Sequence, residues 1–219
     1  MSKKVYQIAI DGPGGAGKST IAQEVAKRLG FLFINTGGMY RCYAIVLKNT
    51  DLKNTGLVKL LLEKNKVELT PNRLFLNGKD VTEECYTPSI AMLASKIGTI
   101  PIVRGKCVLD QQEIAKGHSC VMEGRDTTTV VLPNATLKIF LTASLDTRAK
   151  RRWLQNHQQG SLETIKEQLI ERDYQDTHRS IAPLIKAPDA ILIDTNHKTF
   201  EESVQQVIDA FKLKEELSV

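Results

Sequence analysis

Ile8-Ala-Ile-Asp-Gly-Pro-Gly-Gly-Ala-Gly-Lys-Ser-Thr20 is the stretch on which the reading of this chain turns. Val5–Ile10 is a short β-branched apolar run, and Gly12-Pro13-Gly14-Gly15-Ala16-Gly17 is too glycine-rich for regular structure. Lys18–Leu29 then places Ile21, Val25 and Leu29 on one helical stripe with Ala22 and Ala26 beside it, and Gly30 marks the helix stop. Strand, loop, helix is the context in which the pattern G-x-x-x-x-G-K-[ST] has a mechanism. Successive backbone N–H groups point at phosphate oxygens, and the positive end of the helix adds to the field. Gly12 through Thr20 is therefore a candidate cradle for a nucleoside triphosphate such as ATP. Lys18 supplies a full charge to the β and γ phosphates, and the Ser19 hydroxyl is placed to coordinate Mg²⁺.

Working outward, Phe31–Ile34 is a second strand, followed much later by strands at Ser119–Glu123, Leu137–Thr142 and Ala190–Asp194, all mostly apolar as doubly buried strands are. Helices are expected at Pro101–Lys116, Leu145–Asn156, Leu162–Ser180 and Thr199–Leu217. The alternation predicts an α/β fold, a parallel sheet of the P-loop NTPase type flanked by helices. One stretch breaks it: Pro71-Asn72 and Asn77-Gly78 punctuate three short β runs between Val67 and Thr82, a small antiparallel meander. We place an insert at about Asn65–Ile100, closed by a helix over Ser89–Ile97, within a single domain spanning residues 1–219.

The 219 residues are 42% hydrophobic, 25% charged and 5% aromatic, which excludes a disordered, collagen-like or fibrous chain. The longest apolar stretches, 43–47 and 190–193, fall far short of the roughly 20 residues of a membrane span. The amino terminus reads as a first strand rather than a secretory leader. Four cysteines form no Cys-x-x-Cys pair, so reduced thiols and a cytoplasmic setting are expected. The net charge of +5 fits nucleic acid, a membrane surface or polyanionic small molecules alike, and only the placement of the arginines separates these.

Asn35-Thr-Gly-Gly-Met-Tyr-Arg41 reads as a second turn open to ligand at a strand end, with Arg41 in the first turn of the helix after it. Helix dipoles disfavour a cation there, so Arg41 is either a ligand group or a solvated surface arginine. Arg104 lies near a helix start. Glu123-Gly-Arg125-Asp126 lies where a strand ends, the place where ligands collect in parallel sheets. Glu123 is positioned to orient Mg²⁺-bound water, while Arg125 and Asp126 could form a mere local ion pair. Arg148, Arg151 and Arg152 share a helical face, as do Arg172, Asp176 and Arg179, and like charges so close repel unless an anion sits among them. Two clustered phosphate ligands account for this better than a solvated basic face. No histidine pair has metal-ligand spacing, and no hydrolytic nucleophile motif is present.

Together these residues resemble the bacterial cytidylate kinases, the CMP/dCMP kinases of the P-loop nucleoside monophosphate kinase family. The resemblance is carried by Ile8–Thr20, Thr36-Gly-Gly-Met-Tyr-Arg41, Val103-Arg104, Glu123-Gly-Arg-Asp126 with Thr129–Ala135, Lys138–Leu141, Arg148–Arg152 and Glu171-Arg-Asp173 through Leu184, and runs from about Tyr6 to Ile193. It implies that Arg41, Arg125 and Arg172 hold the acceptor monophosphate, that Asp176 meets the ribose hydroxyls, and that Ser95, Arg104, Asp126 and Arg179 read cytosine, with Thr36 beside them. Lys18, Arg125, Arg172 and Arg148 become the expected catalytic set, and Arg148 and Arg152 join the ATP site. The insert becomes the monophosphate-binding subdomain, and about 148–180 a helical lid over ATP.

Cytosine offers an amino donor where uracil offers an acceptor, so a carboxylate at Asp126 accepts from the first and opposes the second. The implied reaction is transfer of a phosphoryl group from ATP to CMP or dCMP, with Mg²⁺, by a monomer that needs neither nucleic acid nor membrane. A uridylate or mixed pyrimidine kinase is one alternative, and a nucleic-acid-binding ATPase is another from a different class. Three departures from the usual family pattern stand out: Thr36 for Ser, Glu123 for Asp, and Thr127-Thr128-Thr129 for a Met-Gly-Thr run. Losing that glycine removes backbone freedom beside the base site.

Overall fold

β1 (Gln7–Asp11) runs up the middle of a five-stranded parallel sheet of order β2-β6-β1-β7-β8, with β2 at Leu32–Asn35, β6 at Cys120–Gly124, β7 at Leu137–Thr142 and β8 at Ile191–Asp194. The computed structural model describes residues 4–155 and 158–217. Ile8, Ala9 and Ile10 have no solvent exposure, as a central strand covered on both faces requires. Neighbouring registers pair Asp11 with Gly124 and Asn35 with Glu123. The loops leaving β1, β2 and β6 therefore rise side by side at one edge of the sheet. The opening β-α-β unit is parallel as expected, but β6 lies between its two strands.

α1 (Lys18–Leu29) packs with α9 (Phe200–Glu216) over one core, where Tyr6, Phe31 and Phe211 meet edge to face or stacked. α9 opens on a capping box between Thr199 and Glu202. A second core joins α2 (Thr36–Leu47), α3 (Thr55–Lys64), α5 (Pro88–Ile97) and α6 (Pro101–Ala115) through Tyr43, Leu47, Val58, Leu62, Ile97 and Val103. α7 (Leu145–Gln155) and α8 (Leu162–His178) form a helical pair around Ala149, Ile165 and Leu169. The expected end of α7 at Asn156 lies outside the described residues, as do His157 and the first three residues. Among the described residues no helix is long and apolar enough to cross a membrane. The four cysteines are free and buried.

The meander is present as β3 (Val67–Leu69), β4 (Leu74–Leu76) and β5 (Lys79–Asp80), followed by a short α4 (Thr82–Cys85). Asn77 and Gly78 both take positive φ, 52° and 78°, as a tight hairpin turn demands. The β3–β4 tip leans on α1, where Gln23 Nε2 donates to the Pro71 carbonyl at 3.1 Å and to Asn72 Oδ1 at 2.6 Å.

One expectation is corrected. Thr36-Gly37-Gly38 is helix rather than an open turn, because Asn35 caps α2 by accepting from the Gly38 amide at 2.9 Å. Arg41 therefore lies in the second turn of α2, away from the positive end.

Candidate active site

The loop from Gly12 to Gly17 wraps the space above β1. Gly12 has φ +148°, and a Cβ there would stand 1.9 Å from the Leu141 carbonyl oxygen, so no side chain fits. Lys18, at the first turn of α1, is buried and donates from Nζ to the Pro13 carbonyl at 2.8 Å. Burial, with Arg125 and Arg172 nearby, pushes its pKa down to about 7 against the pull of Glu123 and Asp11. The Ser19 hydroxyl donates to Glu123 Oε1 at 2.8 Å, which puts a hydroxyl and a carboxylate together beside the loop. Thr20 follows on the exposed face of α1. No cluster of three or more His, Cys, Asp or Glu suited to a metal occurs among the described residues. A divalent cation here would rest on Ser19, Glu123, phosphate oxygens and water, a donor set of hard oxygens that suits Mg²⁺.

Next to the loop lies a pocket of arginines. Arg125 donates through Nε to Asp176 Oδ2 at 2.7 Å; burial opposes its charge, but this partner lifts its pKa above the usual guanidinium value. Arg172, one turn of α8 before Asp176, is drawn down to about 10, first by Arg125 and then by burial, with Arg41 and Arg152 adding to the repulsion. Burial and then Arg41 lower Arg152 as well. Arg41 itself lies over the ring of Tyr86, 5.0 Å from its centroid, which ties it to the insert. Lys18, Arg41, Arg125, Arg152 and Arg172 thus converge, and the Arg172 Nε is buried without a hydrogen-bond partner. Unpaired buried N–H groups in a cationic pocket fit an anion carrying several oxygens.

Deeper in, Asp126 pairs with Arg104 Nη2, and Arg179 Nη2 stands 3.6 Å from its other oxygen. Arg104 Nη1 donates to the Gly98 carbonyl at 3.0 Å; Ser95, half-buried, lies one turn earlier on α5. Arg179 is held by the carbonyl of Ala182 at 2.7 Å, and Ala182 has the unusual φ of 50°. Arg104 Nε and Arg179 Nη2 are buried with no hydrogen-bond partner. Asp176, buried on α8, has Arg125, Arg172 and Arg179 within 2.7 to 4.0 Å, and although burial works against its charge these arginines hold its pKa below the usual carboxylate value. Thr36 Oγ1 donates to the Glu123 carbonyl at 2.8 Å.

Two readings of the charged runs change. Arg125 and Asp126 are neighbours in sequence but pair with different partners on different helices. Arg148 and Arg151 are not grouped around a shared space: Arg148 donates to the Gly14 and Ala143 carbonyls at 3.0 and 3.1 Å and pairs with Asp173 at 2.6 Å, while Arg151 bonds Thr195. Both brace the phosphate loop, Arg148 at the Gly14 carbonyl and Arg151 at the Ala16 carbonyl at 3.4 Å, because backbone oxygens, invisible in a charge pattern, satisfy them.

Sequence reasoning missed Asp11 and Asp173. Asp173 was visible as the acid one residue after Arg172, facing the Arg148 run. Asp11 was visible as an acid closing an apolar strand, and its carboxylate accepts from the Thr127 and Thr128 amides at 2.9 and 2.7 Å and from Thr128 Oγ1 at 2.6 Å. Thr128 does not take positive φ, so no glycine is required at that position.

The family model described as Cytidylate kinase matches residues 8–213. A cytidylate kinase of Ligilactobacillus salivarius (strain UCC118) is 44% identical over 215 residues, covering 94% of this chain and 96% of the relative. One from Thermotoga neapolitana is 45% identical over 218 residues, covering 96% and 97%. Among solved structures, a gluconokinase from Sinorhizobium meliloti 1021 superposes with TM-score 0.52 at 14% identity, over 97% of this chain and 95% of that one, a likeness of fold alone. With a family model spanning nearly its whole length and relatives of this identity, the chain belongs to the cytidylate kinase family.

Proposed function

We propose that this protein transfers the γ-phosphoryl group of ATP to the 5′-phosphate of CMP or dCMP, giving ADP and CDP or dCDP. One observation carries the reading: a phosphate loop and an Asp126–Arg104–Arg179 cluster flank the same arginine pocket, and buried N–H groups of Arg172 in the pocket and of Arg104 and Arg179 in the cluster have no hydrogen-bond acceptor. A donor triphosphate, an acceptor phosphate and a pyrimidine each have matching chemistry there.

The roles follow from charge. Gly12 through Thr20 hold the donor phosphates, with Lys18 regaining its proton as negative charge arrives. Arg41, Arg125 and Arg172 hold the acceptor phosphate, whose oxygen is already ionised and needs no general base. Arg125 and Arg172, beside Lys18, neutralise the charge spread over the moving phosphoryl group, and positioning with neutralisation is most of what such a reaction requires. Asp176 meets the ribose hydroxyls. Asp126, aligned by Arg104 and Arg179 with Ser95 and Thr36 nearby, accepts from the cytosine amino group. Mg²⁺, held by Ser19 with Glu123 and the phosphates, offsets charge on the donor. The segment at 65–100 serves as the acceptor subdomain, and 148–180 as a lid that brings Arg152 over ATP and excludes water, while Arg148, bonded to the Gly14 carbonyl, steadies the loop that holds the donor phosphates. The protein acts as a cytoplasmic monomer.

A coupled ADP-release assay across CMP, dCMP, UMP and AMP tests the reading. CMP and dCMP should be turned over well ahead of UMP and AMP. Equal or greater turnover of UMP overturns the base assignment, and ADP release that depends on RNA or DNA in place of a monophosphate overturns the class.

A further inference from the structure

Asp11 has no exposed surface, and no cation is paired with its carboxylate among the described residues. Its two oxygens are instead taken up by the Thr127 amide, the Thr128 amide and the Thr128 hydroxyl, at 2.9, 2.7 and 2.6 Å. On one side Asp11 adjoins Gly12, which packs so close to the Leu141 carbonyl that no side chain fits between them. On the other side the residues it grips directly follow Asp126.

The Asp126 backbone is then held from both directions. Its carbonyl accepts from the amides of Val130 and Val131 at 2.8 and 3.2 Å in a single π-turn over Thr127–Val131, and the next two amides belong to Asp11. With its main chain held in this way, the Asp126 carboxylate is presented to Arg104 and Arg179.

We propose that Asp11 and Thr128 are a positioning pair that registers the base-reading carboxylate of Asp126 against the root of the phosphate loop. The inference rests on the functional reading above and deepens it: neither residue touches substrate, and both act on base selection through Asp126. The Thr128 hydroxyl supplies one of three bonds, which glycine or valine at this position would lack.

The test compares Thr128→Val, Thr128→Ala and Thr128→Ser with wild type by thermal melting, by affinity for a non-hydrolysable ATP analogue without CMP, by KM for CMP, and by the CMP-to-UMP ratio of kcat/KM. Losing one buried hydrogen bond to a carboxylate predicts about a tenfold rise in KM for CMP and about a tenfold fall in that ratio for Val and Ala. Affinity for the ATP analogue should stay within about twofold, and Ser should restore wild-type values, since it keeps the hydroxyl. Alanine covers the case in which valine, set against a carboxylate, prevents folding. An unchanged KM and base ratio in the folded hydroxyl-less variant, whatever its melting temperature, overturns the inference alone. Wild type without CMP turnover overturns the functional reading and the inference with it.

Discussion

Arg125 Nε and Asp176 Oδ2 stand 2.7 Å apart and join the loop after β6 to the last turns of α8. This bond ties the centre of the sheet to the helical pair; Nη1 of Arg125 reaches back to the Gly124 carbonyl at 3.3 Å, which leaves Nη2 to face the pocket shared with Lys18 and Arg172.

Arg125→Ala should therefore lower kcat/KM with CMP by roughly two to three orders of magnitude, the range seen when a charge-stabilising donor is removed. The fold should persist, because Arg172 and Arg179 remain near Asp176. Coupled ADP release, together with circular dichroism melts, checks both parts; CMP turnover within threefold of wild type would remove Arg125 from the acceptor site.

Lys18 gives a pH signature. With its pKa near 7 in the empty site, Lys18 is mostly neutral at about pH 8, while its ordinary value is above 10. Bound phosphates favour the charged form, so nucleotide binding at that pH should take up close to one proton. The same depressed value means the unfolded chain binds more protons between about pH 7 and 10, so stability of the empty protein should gain from this group as pH rises through that window. Calorimetry of ATP binding in buffers of different ionisation enthalpy reads the uptake, and Lys18→Met should abolish it.

Asp126→Asn replaces one acceptor oxygen with a donor amide at the expected cytosine amino group. The CMP-to-UMP ratio of kcat/KM should fall by roughly one to two orders of magnitude. An unaltered ratio would place base selection elsewhere.

A Cβ at Gly124 would lie 2.5 Å from Thr127 Oγ1 and 2.6 Å from Thr36 Oγ1, both buried. Gly124→Ala should cost about 1–3 kcal/mol of unfolding free energy, as overpacked cores do, measured by urea denaturation. Its KM for CMP should rise in parallel, because the residues it displaces, Thr127 and Thr36, directly follow Asp126 and begin α2.

Much of this molecule was legible in its sequence, and the illegible parts share a cause. α1 and β7 match their expected limits residue for residue, since a glycine loop, a clean stripe and a doubly buried apolar run leave little room for other readings. The α/β class and the antiparallel insert were equally plain. α3 was not anticipated: Leu57 and Leu60 are 40% and 45% exposed while Val58 and Leu62 are buried, so apolar residues on two faces blur the stripe. Strand order could not be read, because β2 pairs with β6 across the whole insert. The arginines of the site were picked out by number, yet their partners were not. Arg148 is satisfied by backbone carbonyls, and Asp11 by amides more than a hundred residues away. Charge patterns show which side chains carry charge, not which main-chain atoms they meet.

The convergence of Lys18, Arg41, Arg125, Arg152 and Arg172 also bears on how long the protein survives. Burial and repulsion, which draw Lys18 to about 7, and repulsion by Arg125 with burial, which draws Arg172 to about 10, are a standing debt against the folded state that entering anions cancel. Each tenfold of free nucleotide above its dissociation constant then adds about 1.4 kcal/mol to stability. A cell starved of nucleotides would thus hold this chain in its least durable form, with lifetime as well as turnover following the nucleotide pool.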